Sequence, residues 1–560
     1  VSGQVEPDRF RIETASGRIL ERMLGAKAVS VRSQAGGGTV TRAEDAADLQ
    51  ALPDDAIAEL ARLGRQVDRL FGTPQDVEWA WASGRIWLLQ SRPITSLFPV
   101  PAGMGPEPLQ VLFSFGAVQG LLGPMTPLGQ DAIRIVFAGS GRLFGVDLTA
   151  ETQPVIYSAA ERLFGNITGL IRNRVGRRLS HASLGFVEPG VQQALTTLLD
   201  DPRLAATGGP KLRTLWRMTR FLAPVLGGAL RTLLRPETSR ARFEQELEAR
   251  LAQVEAQMAE ETTLQGRVTL MEELSAGAFP WLLPRFVSRF AVAMGTLNLL
   301  LHTGRGLPGG EGQALTLTRG LPHNVTTEMD LALWKTAQVI RADPAALEHV
   351  RQGEPGTLAA EALAGRLPGA AQEALDAFLA RYGMRGVGEI DLGRPRWREN
   401  PEPVVQALQS YLQIEDPEQV PDAVFARGVT AAQEALEEMV EAARATRAGR
   451  FKARRVRWAA RRMRALAGLR ESPKFWVIRT MGLVRAALLE SGGDLVEASV
   501  LDRADDLFFL TLQELRSLAA GEEGDWRALV GERREAYARE ERRSQVPRLL
   551  LSDGEAFYEG

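Results

Sequence analysis

The 560-residue sequence contains no cysteine. That absence excludes disulfides, thiolate metal sites and cysteine nucleophiles, and it fits a reducing compartment. Histidine is scarce as well: His181, His302, His323 and His349 are the whole set, and no two lie within a helical turn of each other. Without cysteine, such scattered histidines rule out a local zinc motif. Net charge is nearly missing, since 67 Lys and Arg stand against 69 Asp and Glu, a formal −2. A neutral chain of this size is not built as a polyanion binder, so nucleic acid and anionic membrane are excluded as general partners. Long apolar runs are absent too. The best, Arg289 to Leu301, has about 13 residues against the ~20 that a membrane span needs. Val1-Ser2-Gly3-Gln4 offers neither a basic start nor an apolar stretch, so no secretory signal is expected, and the expected setting is soluble and cytoplasmic. Val1 is not an initiator methionine, which makes the sequence read as a piece of a longer protein. There is no GxSxG elbow and no Walker-type phosphate loop, and Gly36-Gly37-Gly38 reads as a surface turn.

What is present is an ordinary globular composition, 45% apolar and 24% charged, able to bury a sizeable core. Residues 1–97 mix short alternating runs with one helical pattern. Asp54 and Asp55 can cap a face made of Ile57, Leu60, Leu63, Val67, Leu70 and Phe71, and Gly72-Thr73-Pro74 stops it. Strand-like runs at Val77 to Trp81 and Ile86 to Gln90, joined by Ala82-Ser83-Gly84-Arg85, predict a hairpin. The Pro- and Gly-rich stretch within 98–109 reads as a linker. From 110 to 545 the spacing is helical, as in Phe243 to Glu261, Glu328 to Ala342, Val429 to Arg444 and Val456 to Gly468. No strand–helix alternation appears there, which disfavours a barrel or a doubly wound sheet. The expected class is α+β, a small β-containing part followed by a large helical domain, with 546–560 as the start of a further linker.

The hairpin carries the first chemical signal. A two-residue turn at Ser83-Gly84 would put Glu78 and Gln90 on opposite faces. A three-residue loop, Ala82-Ser83-Gly84 with Gly in the left-handed position, puts them diagonally on one face. Arg92, two residues beyond Gln90, joins that face. A carboxylate, an amide oxygen and a guanidinium converging in this way suit a magnesium ion and the polyphosphate it carries. The same three groups also suit a solvent-facing polar stripe on an edge hairpin.

Asp76-Val77-Glu78-Trp79-Ala80 followed by Leu89-Gln90-Ser91-Arg92-Pro93-Ile94-Thr95 resembles the end of the nucleotide-binding domain of the dikinase family. That family includes phosphoenolpyruvate synthases, pyruvate phosphate dikinases and rifampicin phosphotransferases. Ser2-Gly3-Gln4 and Pro7-Asp8-Arg9-Phe10 resemble a more internal strand of the same domain. The resemblance implies that 1–97 is the C-terminal part of an ATP-grasp domain, with ATP and Mg²⁺ as cofactors. It makes Glu78 and Gln90 the metal ligands and Arg92 a phosphate holder. The second region resembles the substrate domain of the rifampicin phosphotransferase branch. The matching runs include Gly123-Pro124-Met125-Thr126-Pro127-Leu128-Gly129, Arg319 to Met329, Arg381 to Gly386 with Glu389-Ile390-Asp391-Leu392, and Glu471-Ser472-Pro473-Lys474-Phe475. Pyruvate-using members carry a barrel instead, for which this region has no pattern. The family relays its phosphoryl group through a histidine on a swivelling domain, expected downstream of Gly560. The sequence therefore reads as a donor site and an acceptor site without the carrier.

On the acceptor side, the resemblance implies that Arg470 and Lys474 face the incoming phosphohistidine, where two cations offset charge on the transferring group. Pro473 is expected to break the helix between them. The eleven Arg and Lys from Arg444 to Arg470 read mostly as a solvated face paired with Glu434, Glu437, Glu438 and Glu441. Arg394, Arg396 and Arg398, beside Glu389, Asp391 and Glu399, read as a structural ion-pair loop, with anion binding or ring stacking as the alternative. Met384 stands where the family often has a histidine, and His323 reads as structural. The expected function is a dikinase-type phosphotransferase that splits ATP to AMP and phosphate and passes the β-phosphoryl group to a hydroxyl of a rifamycin-like acceptor. The alternatives are a phosphoenolpyruvate synthase-like enzyme with another small acceptor, and a module that binds an apolar ligand without chemistry. A cavity large enough for a macrocycle, lined by Leu, Val, Phe and Met, is expected in the helical domain.

Overall fold

A computed structural model describes residues 7–13, 16–33, 39–43, 49–71, 75–94, 98–116, 120–121, 123–174, 176–177, 198–199, 201–206, 212–543 and 545–558. Ser2-Gly3-Gln4, Gly36-Gly37-Gly38 and His181 lie outside the described residues. The chain divides into two units, Val1–Phe98 and Pro99–Gly560. The class is α+β.

Among the described residues, the first unit holds three antiparallel strand pairs and one helix. Strands β1 (Arg9–Ile12) and β2 (Ile19–Met23) pair, as do β3 (Val29–Ser33) and β4 (Thr39–Ala43). The helix Asp54–Phe71 follows, with Asp54 and Asp55 in its first turn and Arg69 in its last, as the helix dipole favours. It buries Ala56 and Ile57 with Leu52 against Phe10, Ile12 and Ile19. The expected apolar face is cut short: Leu60, Leu63 and Val67 are half-buried, while Leu70 and Phe71 are exposed. Strands β5 (Gln75–Ala82) and β6 (Arg85–Pro93) then form the predicted hairpin.

The second unit adds a five-stranded antiparallel sheet that the helical spacing did not announce. Its order is β11-β10-β7-β9-β8, with β7 at Val111–Ser114, β8 at Ile156–Ala159, β9 at Arg162–Asn166, β10 at Leu549–Leu551 and β11 at Ala556–Phe557. Two expected boundaries are corrected by it. Leu109, at the end of the 98–109 linker, is fully buried with Val111, Leu549 and Leu551. The stretch 546–560 is not a departing linker, because Leu549, Leu550 and Leu551 lie between two strands and are buried on both faces.

The rest of the described part of this unit is mostly helical. Leu264–Gly304, capped by the Thr263 hydroxyl on the Gly266 N–H, packs against Pro127–Ser140, Leu212–Leu234, Gly449–Ala467 and Ser472–Glu497. One apolar core joins it to Gly449–Ala467 and Pro421–Arg444 through Leu282, Ala293, Met439, Ala459 and Met463. A second joins it to Ser472–Glu497 through Met271, Leu488 and Phe508. A third lies within the helices from Val325 to Leu412, around Trp334, Leu375 and Tyr382. Much of the basic stretch is solvated as expected, with Arg444, Arg447, Arg450, Arg454, Arg461 and Arg470 exposed, but two of its members are used otherwise. Arg457 does pair with Glu437, but Arg462 donates to the Leu233 carbonyl and Arg464 to those of Leu317, Arg319 and Gly320. These arginines satisfy carbonyls at helix ends instead of an acidic helix.

Candidate functional site

The hairpin reaches its one-sided polar face by a route other than the expected one. The turn has two residues, Ser83 and Gly84, with φ of 52° and 72°. Positive values at both positions match the right-handed twist of the strands. Such a turn alone would oppose Glu78 to Leu89. A β-bulge intervenes: Trp79 pairs with Leu88 and Glu78 with Gln90, leaving Leu89 as the extra residue. Glu78 and Gln90 are thus directly opposite, not diagonal, and Arg92 lies on the same side opposite Asp76. The Arg92 guanidinium donates from Nη2 to Glu78 Oε1 at 2.7 Å and to Gln90 Oε1 at 2.9 Å. All three side chains are exposed. Two oxygens held by one cationic hydrogen-bond donor form a face that accepts a positive charge and, once Arg92 turns outward, a negative one.

Among the described residues, no group of three or more His, Asp or Glu is placed to hold a metal. The pair Glu78 and Gln90 still fits magnesium, which takes one or two protein oxygens and completes its octahedron with water and substrate phosphates.

In the second unit, two stretches of the sequence that were noted separately come together. Thr126 donates its N–H to Asp391 Oδ2 at 2.9 Å and its hydroxyl to Oδ1 at 2.6 Å, while Gly393 N–H reaches Oδ1 at 2.9 Å. A Cβ on Gly129 would lie 1.9 Å from Asp391 Oδ1, so only glycine fits there. Burial pushes the Asp391 carboxyl up, against the pull of the Thr126 and Gly393 hydrogen bonds and the Arg394 charge. Arg396, fully buried, donates to the Glu389 and Asp391 carbonyls. Burial and the nearby Arg485 lower its pKa to about 10. Arg485 in turn grips both Glu399 oxygens. The 389–399 loop is a structural ion-pair loop.

Arg470 and Lys474 take different partners. The Gly449–Ala467 helix runs through a tight turn at Gly468–Glu471 into the Ser472–Glu497 helix, with Pro473 in the first turn of the second helix. Pro473 therefore starts a helix rather than breaking one, as its missing N–H allows. Arg470 is exposed and pairs with Glu471 at 2.9 Å. Lys474 lies 3.8 Å from Glu389, a buried carboxylate that also accepts from Arg385 at 2.6 Å and from the Gly386 N–H. Glu389 was not singled out as a partner of Lys474, because 85 residues of sequence hide the contact.

The helix that carries Lys474 also walls an apolar slot of about 30 Å³, together with Ile133, Val136, Met271 and Leu274, through Val477 and Met481. Lys474 precedes Val477 by three residues and Met481 by seven, so all share one helix face. Two polar atoms on the slot-lining residues have no hydrogen-bond partner among the described residues, Thr480 Oγ1 and Trp476 Nε1. Such orphans are rare in protein interiors. A lone hydroxyl in the apolar run after Phe475 was the only sequence signal for them. The slot is far smaller than the expected macrocycle-sized apolar cavity. A wider hollow, about 1140 Å³, is an open cleft between Val325–Ala342 and Pro421–Arg444 whose wall includes Arg319, Asp330, Tyr411, Phe425 and Glu434. His323 has a positive φ of 60° and meets Arg240 at 3.2 Å, while Met384 fills the space beside Gly482.

Comparison with known proteins bears on both units. Residues 1–99 match the family model of the pyruvate phosphate dikinase AMP/ATP-binding domain, and residues 283–471 match that of the rifampicin phosphotransferase fourth domain. The chain is 31% identical to rifampicin phosphotransferase of Streptomyces sviceus and 27% identical to that of Bacillus subtilis, in each case over 99% of this chain and 61% of the relative. A probable phosphoenolpyruvate synthase of Pyrococcus abyssi is 28% identical over 35% of this chain and 25% of its own length. The chain thus spans about three-fifths of the length of the rifampicin phosphotransferases it matches.

Proposed function

We propose, on the premise that this chain fits the rifampicin phosphotransferase and phosphoenolpyruvate synthase-like family, that it supplies the donor-side hairpin and the acceptor domain of an ATP-dependent dikinase. The overall reaction would convert ATP, water and an acceptor alcohol to AMP, phosphate and the acceptor phosphate ester. The β-phosphoryl group would travel on a histidine of a separate carrier domain, and the γ-phosphoryl group would leave as phosphate. The observation that carries the reading is the Glu78, Gln90 and Arg92 face, lying within the segment similar to an AMP/ATP-binding domain. In this reading the segment is part of an ATP-grasp domain. Glu78 and Gln90 would hold magnesium, which supplies charge neutralisation to the phosphates. Arg92 would exchange its two present acceptors for phosphate oxygens.

On the acceptor side, Lys474 and Arg470 would face the phosphohistidine and offset charge on the transferring phosphoryl group. The slot walled by the helix that carries Lys474 has room for a water or two as it stands and would have to open to take one projecting group of an apolar, rifamycin-like acceptor, with Thr480 and Trp476 as its polar contacts. The whole would work in the cytoplasm. Titration of this chain with rifampicin, read by calorimetry, tests the acceptor assignment. Saturable heat at micromolar concentration is expected. No heat from the folded chain would remove rifamycins and leave a smaller acceptor.

A further inference from the structure

The helices Leu212–Leu234, Pro236–Glu260 and Leu264–Gly304 enclose a cleft of about 660 Å³. Its wall carries Arg231, Arg235, Arg242, Arg285 and Arg289 against a single carboxylate, Glu246. A second hollow, about 300 Å³, shares Leu234, Arg235 and Thr238 with it and adds Arg461, Arg462 and Glu237. Together the linings of the two hollows hold seven arginines against two glutamates, an excess of five positive charges in a chain whose net charge is −2.

Arg242 and Arg285 share the one carboxylate of Glu246, while Arg289 and Arg462 are positioned by carbonyls and rings that do not neutralise them. Arg289 is only 8% exposed; it donates to the Ser239 carbonyl at 2.9 Å and the Arg285 carbonyl at 2.6 Å, and lies 4.8 Å from the Phe243 ring centre. No carboxylate pairs with it among the described residues. Burial pushes its pKa down, Glu246 opposes that, and Arg242 and Arg285 push it down further. Arg462 donates to the Leu233 carbonyl and lies 4.2 Å from the Trp458 ring centre. Glu246 is already engaged, 2.9 Å from Arg242 and 3.6 Å from Arg285. Like charges held this close repel, and an anion between them would relieve the repulsion at little ordering cost.

We propose that this cleft is a binding site for a small, multiply charged oxyanion of the di- or triphosphate class. Guanidinium forks match phosphate oxygens two at a time, and the Thr238 hydroxyl at the first turn of the 25-residue Pro236–Glu260 helix adds a neutral donor. The walls disfavour a nucleic acid strand. Of the neighbouring rings, Phe243 is fully buried and Trp281 is stacked on Trp476, which leaves Trp458 alone exposed, with Arg462 over one of its faces, and a strand needs a row of stacking rings.

Calorimetric titration of the chain with inorganic tripolyphosphate at low salt tests the site, with orthophosphate and a single-stranded oligonucleotide as comparisons. Tripolyphosphate should bind at least about tenfold more tightly than orthophosphate and weaken as salt is raised. The combined variant Arg231→Gln, Arg235→Gln, Arg461→Gln changes three exposed side chains and should leave the ligand-free melting temperature unchanged. It should weaken tripolyphosphate about 100-fold or more, since each charge-assisted contact is worth about tenfold. No binding at millimolar concentration, equal binding by the variant, or tighter binding of the oligonucleotide would each overturn the proposal.

Discussion

Thr126 gives Asp391 both its N–H and its hydroxyl across 265 residues of sequence. The same hydroxyl caps the Pro127–Ser140 helix by accepting from the Gly129 N–H at 3.3 Å. One oxygen thus ties the start of a helix to a carboxylate with no solvent exposure. Thr126→Val keeps the shape and removes the tie. It should cost about 2–4 kcal/mol, the sum of a lost cap and a weakened buried carboxylate. Urea unfolding measures it, and an unchanged midpoint would mean that Asp391 finds other donors.

Register decides the hairpin face, and two deletions separate cause from coincidence. Removing Leu89 abolishes the bulge but leaves Glu78 opposite Gln90, so magnesium-dependent ATP binding should survive. Removing Trp79 instead brings Glu78 opposite Leu88 and turns it to the other face, so the same binding should be lost. Calorimetry with ATP, with and without magnesium, reads both. Equal behaviour of the two deletions would leave the three side chains as a solvated stripe.

Thr480 has an unusual expectation attached to it. Replacing a buried, unpartnered hydroxyl with a methyl removes a desolvation cost, so Thr480→Val should be neutral or stabilising by up to about 1 kcal/mol. If the slot anchors the acceptor, rifampicin should bind about tenfold more weakly to this more stable variant. Unchanged rifampicin affinity would move the acceptor away from the slot.

Lys474 is held loosely by a carboxylate that keeps Arg385 when the lysine is gone. Lys474→Ala and Arg470→Ala should therefore fold normally. Assayed together with the carrier domain, either change should slow transfer to the acceptor about 10²–10³-fold while phosphorylation of the carrier histidine proceeds nearly unaltered. Equal loss in both half-reactions would mark the pair as structural.

Acid should act on the first unit through Asp8. Burial works against ionisation of its carboxyl, but the Lys27 side chain and the Ala51 and Gly25 N–H groups outweigh that and hold its pKa below the ordinary 3.8. A depressed carboxyl stabilises the fold at pH values above 3.8, and that contribution is lost as pH falls through the native pKa. Pepsin pulses between about pH 5 and 2 should show the β1–β2 region of the wild type losing protection across this window. Asp8→Asn should be weaker at the upper end and flatter across it. An identical acid profile in the variant would assign the loss to other carboxylates.

The hairpin, the linker composition and the helical domain could be read from spacing because alternation and three-to-four periodicity survive wherever one face is wet. Leu89 could not be recognised as a bulge: in Leu88-Leu89 it looks like one more strand residue. The five-stranded sheet was hidden for a related reason. Runs such as Leu549-Leu550-Leu551 are buried on both faces and too short to show a period. Contacts such as Thr126 with Asp391, or Lys474 with Glu389, depend on tertiary packing that no local pattern encodes. The Pro473 reading failed because proline at the first turn of a helix and proline ending one look alike in sequence.

The pairing of β10 with both β7 and β11 brings the two ends of the second unit into one sheet with a single strand between them. Two interstrand spacings, about 10 Å in all, separate the strand by which the chain comes in from the strand by which it leaves. Both strands run antiparallel to β10, so the chain enters β7 and leaves β11 in the same direction, and the two attachment points stay close because the strands are short. Such a unit could be circularly permuted with a short peptide joining the old ends and a cut at an exposed turn such as Gly521.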